Sequence, residues 1–188
     1  YVIDSYNRIN FVNDEQGSYE NIRMLIADYF DCMPVKNKFV IRASFLFMGI
    51  LLGYNNISEL EEWIEWGKTH SLEYNYRVTQ LDLAICYALK GEYEKVEQTI
   101  HSVIDIRDFP ILARGKYHNL EALVYLHHCE YMSALRCLEA QEKCYVKLGR
   151  SYKDNIQRNK RLISSMPQRF DIGYKPTQTP TFYIDIRL

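Results

Sequence analysis

Leu81-Asp82-Leu83-Ala84-Ile85-Cys86-Tyr87-Ala88-Leu89-Lys90-Gly91-Glu92-Tyr93-Glu94-Lys95-Val96-Glu97-Gln98-Thr99-Ile100 reads as a helix, a tight turn centred on Gly91, and a second helix. The pattern recurs. A step of 38 residues carries Ala84, Tyr87, Gly91, Tyr93 and Ile100 to Ala122, Tyr125, Cys129, Tyr131 and Leu138. The same step backwards carries Gly91 to Gly53 and Ile85 to Phe47. One helical hairpin cannot bury its apolar face alone, so units that recur at this length stack on their neighbours. The fold class expected is all-α: a solenoid of antiparallel helical hairpins over 1–165, then an extended tail over 166–188.

Composition agrees with that reading and removes several function classes. The chain has 188 residues, enough for one domain or one compact array, and 47% of them are hydrophobic. Lys and Arg number 23 against 24 Asp and Glu, so no strong field argues for a nucleic-acid or membrane surface. Sixteen tyrosines and only five prolines favour packed helices over a loop-rich fold. The longest apolar run, 43–54, is broken by Ser44 and two glycines and falls short of the ~20 residues a membrane helix needs. Cys32, Cys86, Cys129, Cys137 and Cys144 are odd in number, lack a CxxC pair and lie in helical patterns. They are expected to be buried thiols of a reducing compartment, hence a cytoplasmic protein. The chain opens on Tyr1 rather than Met, and further residues are expected upstream.

In chain order, 1–12 is partly periodic and predicts a first helix, and 13–18 a turn. Ser18 is the expected N-cap of a helix over 19–30, where Ile22, Leu25, Ile26 and Tyr29 repeat at helical spacing, and Pro34 ends it. A strongly apolar helix follows over 37–52. Gly53 to Asn56 form its turn. Ser58 with Glu61 reads as a capping box opening a helix over 59–68, with Trp63 and Trp66 on the face of Leu60. The central hairpin is 74–90 with 92–106, and the next is 112–128 with 130–148, stopped by Gly149. A polar, basic helix over 151–165, with Ile156 and Leu162 inward, seals the last layer as repeat arrays require. Pro167, Gly173, Pro176 and Pro180 exclude a helix after it. Phe182, Ile184, Ile186 and Leu188 then alternate with polar residues, which is strand chemistry in a helical chain. A lone strand needs partners for its backbone. It can pair with a second copy as a homodimer contact, lie in the groove of the array, or begin another domain.

The hairpin residues resemble those of the tetratricopeptide repeat. That family spaces a small residue, Tyr, Gly, Tyr, a small residue and a large apolar residue as Ala84, Tyr87, Gly91, Tyr93, Val96 and Ile100 stand here, with Ala122, Tyr125, Cys129, Tyr131, Ala134 and Leu138 in the next unit. The likeness spans about 39–148. It departs at Gly49, which stands where Tyr is expected, and in a unit longer than the family's usual ~34 residues. The resemblance implies a right-handed solenoid whose first helices line a concave groove. Mapped onto this chain, the groove takes Phe47, Val78, Leu81, Asp82, Ile85, Lys116, Asn119 and Leu123, with Val40, Ala43 and Ser44 in the earliest unit. Asn119 is the polar handle of most interest, because an amide donates to and accepts from a peptide backbone at once.

The expected function is therefore a protein- or peptide-binding scaffold. The alternative is the sensory, dimerising half of a bacterial transcriptional regulator with a DNA-binding domain upstream, since long irregular units resemble those of peptide-sensing regulators. Catalysis is not expected, for the chain has no Gly-rich phosphate loop, GxSxG elbow or HExxH pair. No cofactor is expected. His127, His128 and Cys129 are adjacent on a helix end and point in different directions, so no metal site is expected there either.

Overall fold

The computed structural model describes residues 15–103, 105–147, 153–171 and 182–185. The first predicted helix, the stop at Gly149 and residues 186–188 of the predicted strand lie outside these. The described residues are all-α: α1 (Glu15–Tyr29), α2 (Val35–Leu51), α3 (Ile57–Thr69), α4 (Glu73–Lys90), α5 (Tyr93–Ser102), α6 (Ile111–His127), α7 (Tyr131–Lys147) and α8 (Lys153–Asp171), with single 3-10 turns at Phe30–Cys32 and Ile106–Asp108. No helix among them is long and apolar enough to cross a membrane. The chain divides into two compact units between Thr79 and Gln80, within α4.

The first unit is built on α2, which buries Phe39, Ala43, Phe45, Leu46, Phe47 and Gly49. Such wide burial explains its nearly continuous apolar sequence. α3 packs Leu60 and Ile64 against it, and the ring of Phe39 lies on Gly67, where a methyl would come within 2.5 Å. Gly49 has the same role for α1. A side chain there would strike the Tyr19 hydroxyl and the Asn56 amide, which are hydrogen-bonded to each other at 3.2 Å. The Tyr19 ring, stacked 4.2 Å from Phe45, fills the space that a side chain at position 49 would need.

Several expected boundaries move. α1 begins at Glu15, so Ser18 lies inside the helix rather than capping it. Its one glycine costs about 1 kcal/mol there, which the burial of Tyr19, Ile22 and Ile26 outweighs. Tyr29, expected on the same inward stripe, is exposed. The capping box at Ser58 does not form: α3 starts at Ile57, and the N-cap is Asn56, whose side chain turns to Tyr19 instead of the helix end.

In the second unit, α6 packs against both α5 and α7, and α7 against α8. Ala84 and Ala122 are fully buried, as expected of small residues that let helices approach closely. α5 stops at Ser102 rather than near Ile106. Val103 is extended and buried, and Asp105 turns left-handed to accept from the Arg107 N–H and cap the following 3-10 turn. α8 runs beyond the expected end, through Pro167 to Asp171. Proline's φ suits a helix, and the backbone bond it forfeits is offset by Ile163 and Met166 packing in the same turns. The buried partner of Ile156 is Ile163, with Leu162 only half-buried.

Helices end on a left-handed residue at Gly53, Ser71, Gly91 and Cys129, and three of these, all but Ser71, stand 38 residues apart. Gly53, Gly91 and Cys129 have φ of 94°, 75° and 61°. At each, the N–H bonds back to the carbonyl three residues earlier (Ile50, Ala88, Leu126), and the next N–H reaches five back (Tyr54 to Gly49 at 2.9 Å, Glu92 to Tyr87 at 3.0 Å, Glu130 to Tyr125 at 2.8 Å). These paired bonds are the Schellman termination of a helix, which requires one left-handed residue. A Cβ at Gly53 or Gly91 would meet nothing within 4 Å, so the glycine is needed for its φ alone. Gly91→Ala should cost roughly 1 kcal/mol from left-handed strain, whereas Cys129→Gly should be neutral or stabilising. Urea denaturation of the two variants measures both signs.

Candidate functional site

Three helices of the second unit each carry a buried side-chain amide at the same place in an inward stripe. α6 offers Lys116, Asn119 and Leu123; α7 offers Leu138, Gln141 and Tyr145; α8 offers Ile156, Asn159 and Ile163. Each set follows i, i+3, i+7, which is one helix face, and the amide is always the middle member. Asn119, Gln141 and Asn159 are each only 1% exposed. An amide buried to that degree needs its donors and acceptor met.

They are met by residues 182–185. Asn159 takes both backbone groups of Tyr183: its Oδ1 accepts from the Tyr183 N–H at 2.8 Å and its Nδ2 donates to the Tyr183 carbonyl at 3.0 Å. Asn119 spans the next step. Its Nδ2 donates to the same carbonyl at 3.2 Å and its Oδ1 accepts from the Asp185 N–H at 2.9 Å. In extended chain, residues two apart present their N–H and C=O on one edge. The two asparagines thus do for this edge what a neighbouring strand does in a sheet. No strand pairing occurs among the described residues of the segment.

The Asp185 side chain is buried with the backbone. Its Oδ2 accepts from the Tyr145 hydroxyl and from Gln141 Nε2 at 3.2 Å. Gln141 is oriented in turn by Asn119 Nδ2, 3.4 Å from its Oε1. Tyr145 is placed by Gly115: a methyl there would lie 2.5–2.6 Å from the ring and hydroxyl. The alternation in sequence put Phe182 and Ile184 on the inward face. Phe182 is buried, but Ile184 is only half-buried, and the deepest residue is Asp185 at 1%.

The expected groove residues have separate fates. Asn119 bonds the backbone of residues 183 and 185 of its own chain. Lys116, one turn earlier, donates to Asp82 at 2.9 Å, so these two polar handles are joined across α4 and α6. Leu81 and Ile85 are fully buried and Leu123 nearly so, and all three serve as core. In the first unit Phe47 is likewise core and Val78 half-buried. Gln141, Tyr145, Asn159, Asp185 and Gly115 did not emerge from sequence. The signal that would have found Gln141 and Asn159 is a polar residue placed mid-stripe in successive inward faces.

Glu121 Oε2 accepts from the Cys137 thiol at 3.2 Å and lies 3.4 Å from His118 Nδ1. Burial alone would raise Glu121, but the bonds from His118 and Cys137 outweigh it and hold the carboxyl below its ordinary value. Burial first, and then Glu121, pushes the Cys137 thiol far up, which disables it as a nucleophile. In the first unit a cleft of about 900 Å³ is lined by Tyr19, Phe45, Tyr54, Trp63 and Trp66 among others. Of its polar groups, Arg42 pairs with Glu59, Arg23 with Glu20, and Asn56 with Tyr19. His128 pairs with Glu97 at 3.0 Å, and no metal-binding group of three occurs among the described residues.

Comparison of the chain with protein-family models, with curated proteins and with solved structures finds no match.

Two measurements check this geometry. Gly115→Ala should push Tyr145 off Asp185 and speed hydrogen exchange at the Tyr183 and Asp185 amides by tenfold or more, about the weight of one hydrogen bond to a charged group. The cysteines divide differently from expectation, since Cys32 and Cys129 are exposed. At pH 8 a maleimide should label these two, while Cys86, pushed up to about 12 by burial, and Cys137 stay protonated and unlabelled until urea unfolds the chain. Mass spectrometry of digests reads the pattern.

Proposed function

We propose that this chain is a binding module of the divergent tetratricopeptide-like kind, which holds an extended segment of protein or peptide by its backbone. The observation that carries the reading is the chelation of Tyr183 by Asn159 and of the following step by Asn119. Side-chain amides fixed on rigid helices grip any residue that can extend, because every peptide offers the same N–H and C=O. Four satisfied backbone bonds at roughly 0.5–1.5 kcal/mol each give useful but reversible affinity. The like helix ends at Gly53, Gly91 and Cys129, 38 residues apart, fit the repeat assignment, although the same end also occurs off that step at Ser71. Exposed Cys32 and Cys129 outside any disulfide suit the cytoplasm.

The partner is thus a peptide segment, and the module needs no cofactor for this work. A displayed library of short peptides, selected against the full chain, is the direct test. Selected peptides should lose tenfold or more in affinity on Asn119→Ala or Asn159→Ala, with helical content unchanged by circular dichroism. A library that yields no binder, or binders indifferent to both asparagines, would reject this function.

A further inference from the structure

The bonds that hold residues 182–185 fall into two kinds. Those of Asn119 and Asn159 go to backbone and are blind to sequence. Those of Tyr145 and Gln141 go to a carboxylate and are not. The second pair forms a small polar subsite two residues beyond the chelated one. Both of its donors are almost wholly buried, Gln141 at 1% and Tyr145 among the largest buried side chains.

Merely pinning down a tail does not require such a site. Apolar side chains would do that without the cost of burying three amides and a phenol. A network of this kind is complete only with an occupant that supplies backbone groups in register and one carboxylate at a set distance. Those are the marks of a site that selects a ligand.

We propose that the surface shared by α6, α7 and α8 is a receptor for an extended peptide with a carboxylate side chain two residues after the chelated one, and that residues 182–185 are a resident copy of that ligand, displaced when the peptide binds. The proposal rests on the peptide-binding reading above and adds the ligand's acidic residue and the competing tail. Tethering sets the terms of the competition. A segment of the same chain acts at an effective concentration of roughly millimolar order, and an incoming peptide sees its affinity reduced by the fraction of sites the tail occupies. The incoming ligand therefore has to fit better than residues 182–185, and weakening the tail should strengthen the ligand. Asparagine in place of the acid presents an N–H₂ group and a weaker acceptor to Tyr145 and Gln141, which makes it a discriminating replacement.

The test uses the full chain and a fluorescent peptide copying residues 182–186, with a second peptide in which the aspartate is replaced by asparagine. Anisotropy should show the acidic peptide binding the Asp185→Asn chain about tenfold or more tighter than wild type, the weight of one charged hydrogen bond. The asparagine peptide should bind at least tenfold more weakly than the acidic one. Asn119→Ala with Asn159→Ala should abolish binding of both. Hydrogen exchange on wild type gives a readout that needs no tail variant: saturating acidic peptide should release protection at the Tyr183 and Asp185 amides. Equal affinity for wild type and Asp185→Asn, or tail amides that stay protected at saturation, would overturn the displacement while leaving an asparagine-dependent binder in place. Equal affinity of the two peptides would overturn the acid subsite. Binding unaffected by the two asparagine changes, or no binding to any chain, would overturn this proposal and the peptide-binding function together.

Discussion

An extended backbone buried against helices has no neighbouring strand to meet its N–H and C=O groups, and leaving them unmet is costly. The second unit answers that constraint with side chains. Asn119 and Asn159 take the place of a strand edge, and much else follows from keeping them there. α8 runs long enough to place Asn159 between the buried Ile156 and Ile163. α7 supplies Gln141, which bonds Asn119 on one side and Asp185 on the other. Gly115 leaves room for the Tyr145 ring to reach the same carboxylate.

Glycine works in two physically different ways in this chain. At Gly53 and Gly91 the surroundings are open and the residue is needed to turn left-handed, so the helix ends in a fixed geometry. Cys129 accepts the same conformation with a side chain, at some strain, and the turn is preserved. At Gly49, Gly67 and Gly115 the backbone is ordinary helix and the missing atom is the point. Each lets an aromatic ring, of Tyr19, Phe39 or Tyr145, lie against a neighbouring helix. The first kind sets where hairpins bend; the second sets how closely their faces approach.

Two lysines of the second unit are sheltered by committed partners. Lys116 is nearly buried and committed to Asp82, and Lys160 on α8 is committed to Glu142 on α7 at 2.6 Å. The basic character of α8 is in part an anchoring device that ties the last helix to its neighbour. Pairs this sheltered contribute to which helix meets which, because a misplaced partner would leave a charge without compensation.

The helices and the tight turn at Gly91 were legible in sequence, because each depends on residues within a few positions of one another. The capacity of Asn119 to donate and accept at once was legible too, but not that it meets residues 183 and 185 of its own chain. The capping box at Ser58 misled because Asn56 is drawn to Tyr19, 37 positions away, and local signals carry no trace of that contact. The rest of the site was hidden likewise. Tyr145 and Asp185 are 40 apart and Asn119 and Asp185 are 66 apart, and on an inward helix face Gln141 or Asn159 reads only as a blemish in the apolar stripe. Sequence by itself determined the helices, through local propensity and spacing. Tertiary structure alone decided which buried amides converge and what they hold, since a hydrogen bond between distant positions exists only once packing has brought them together.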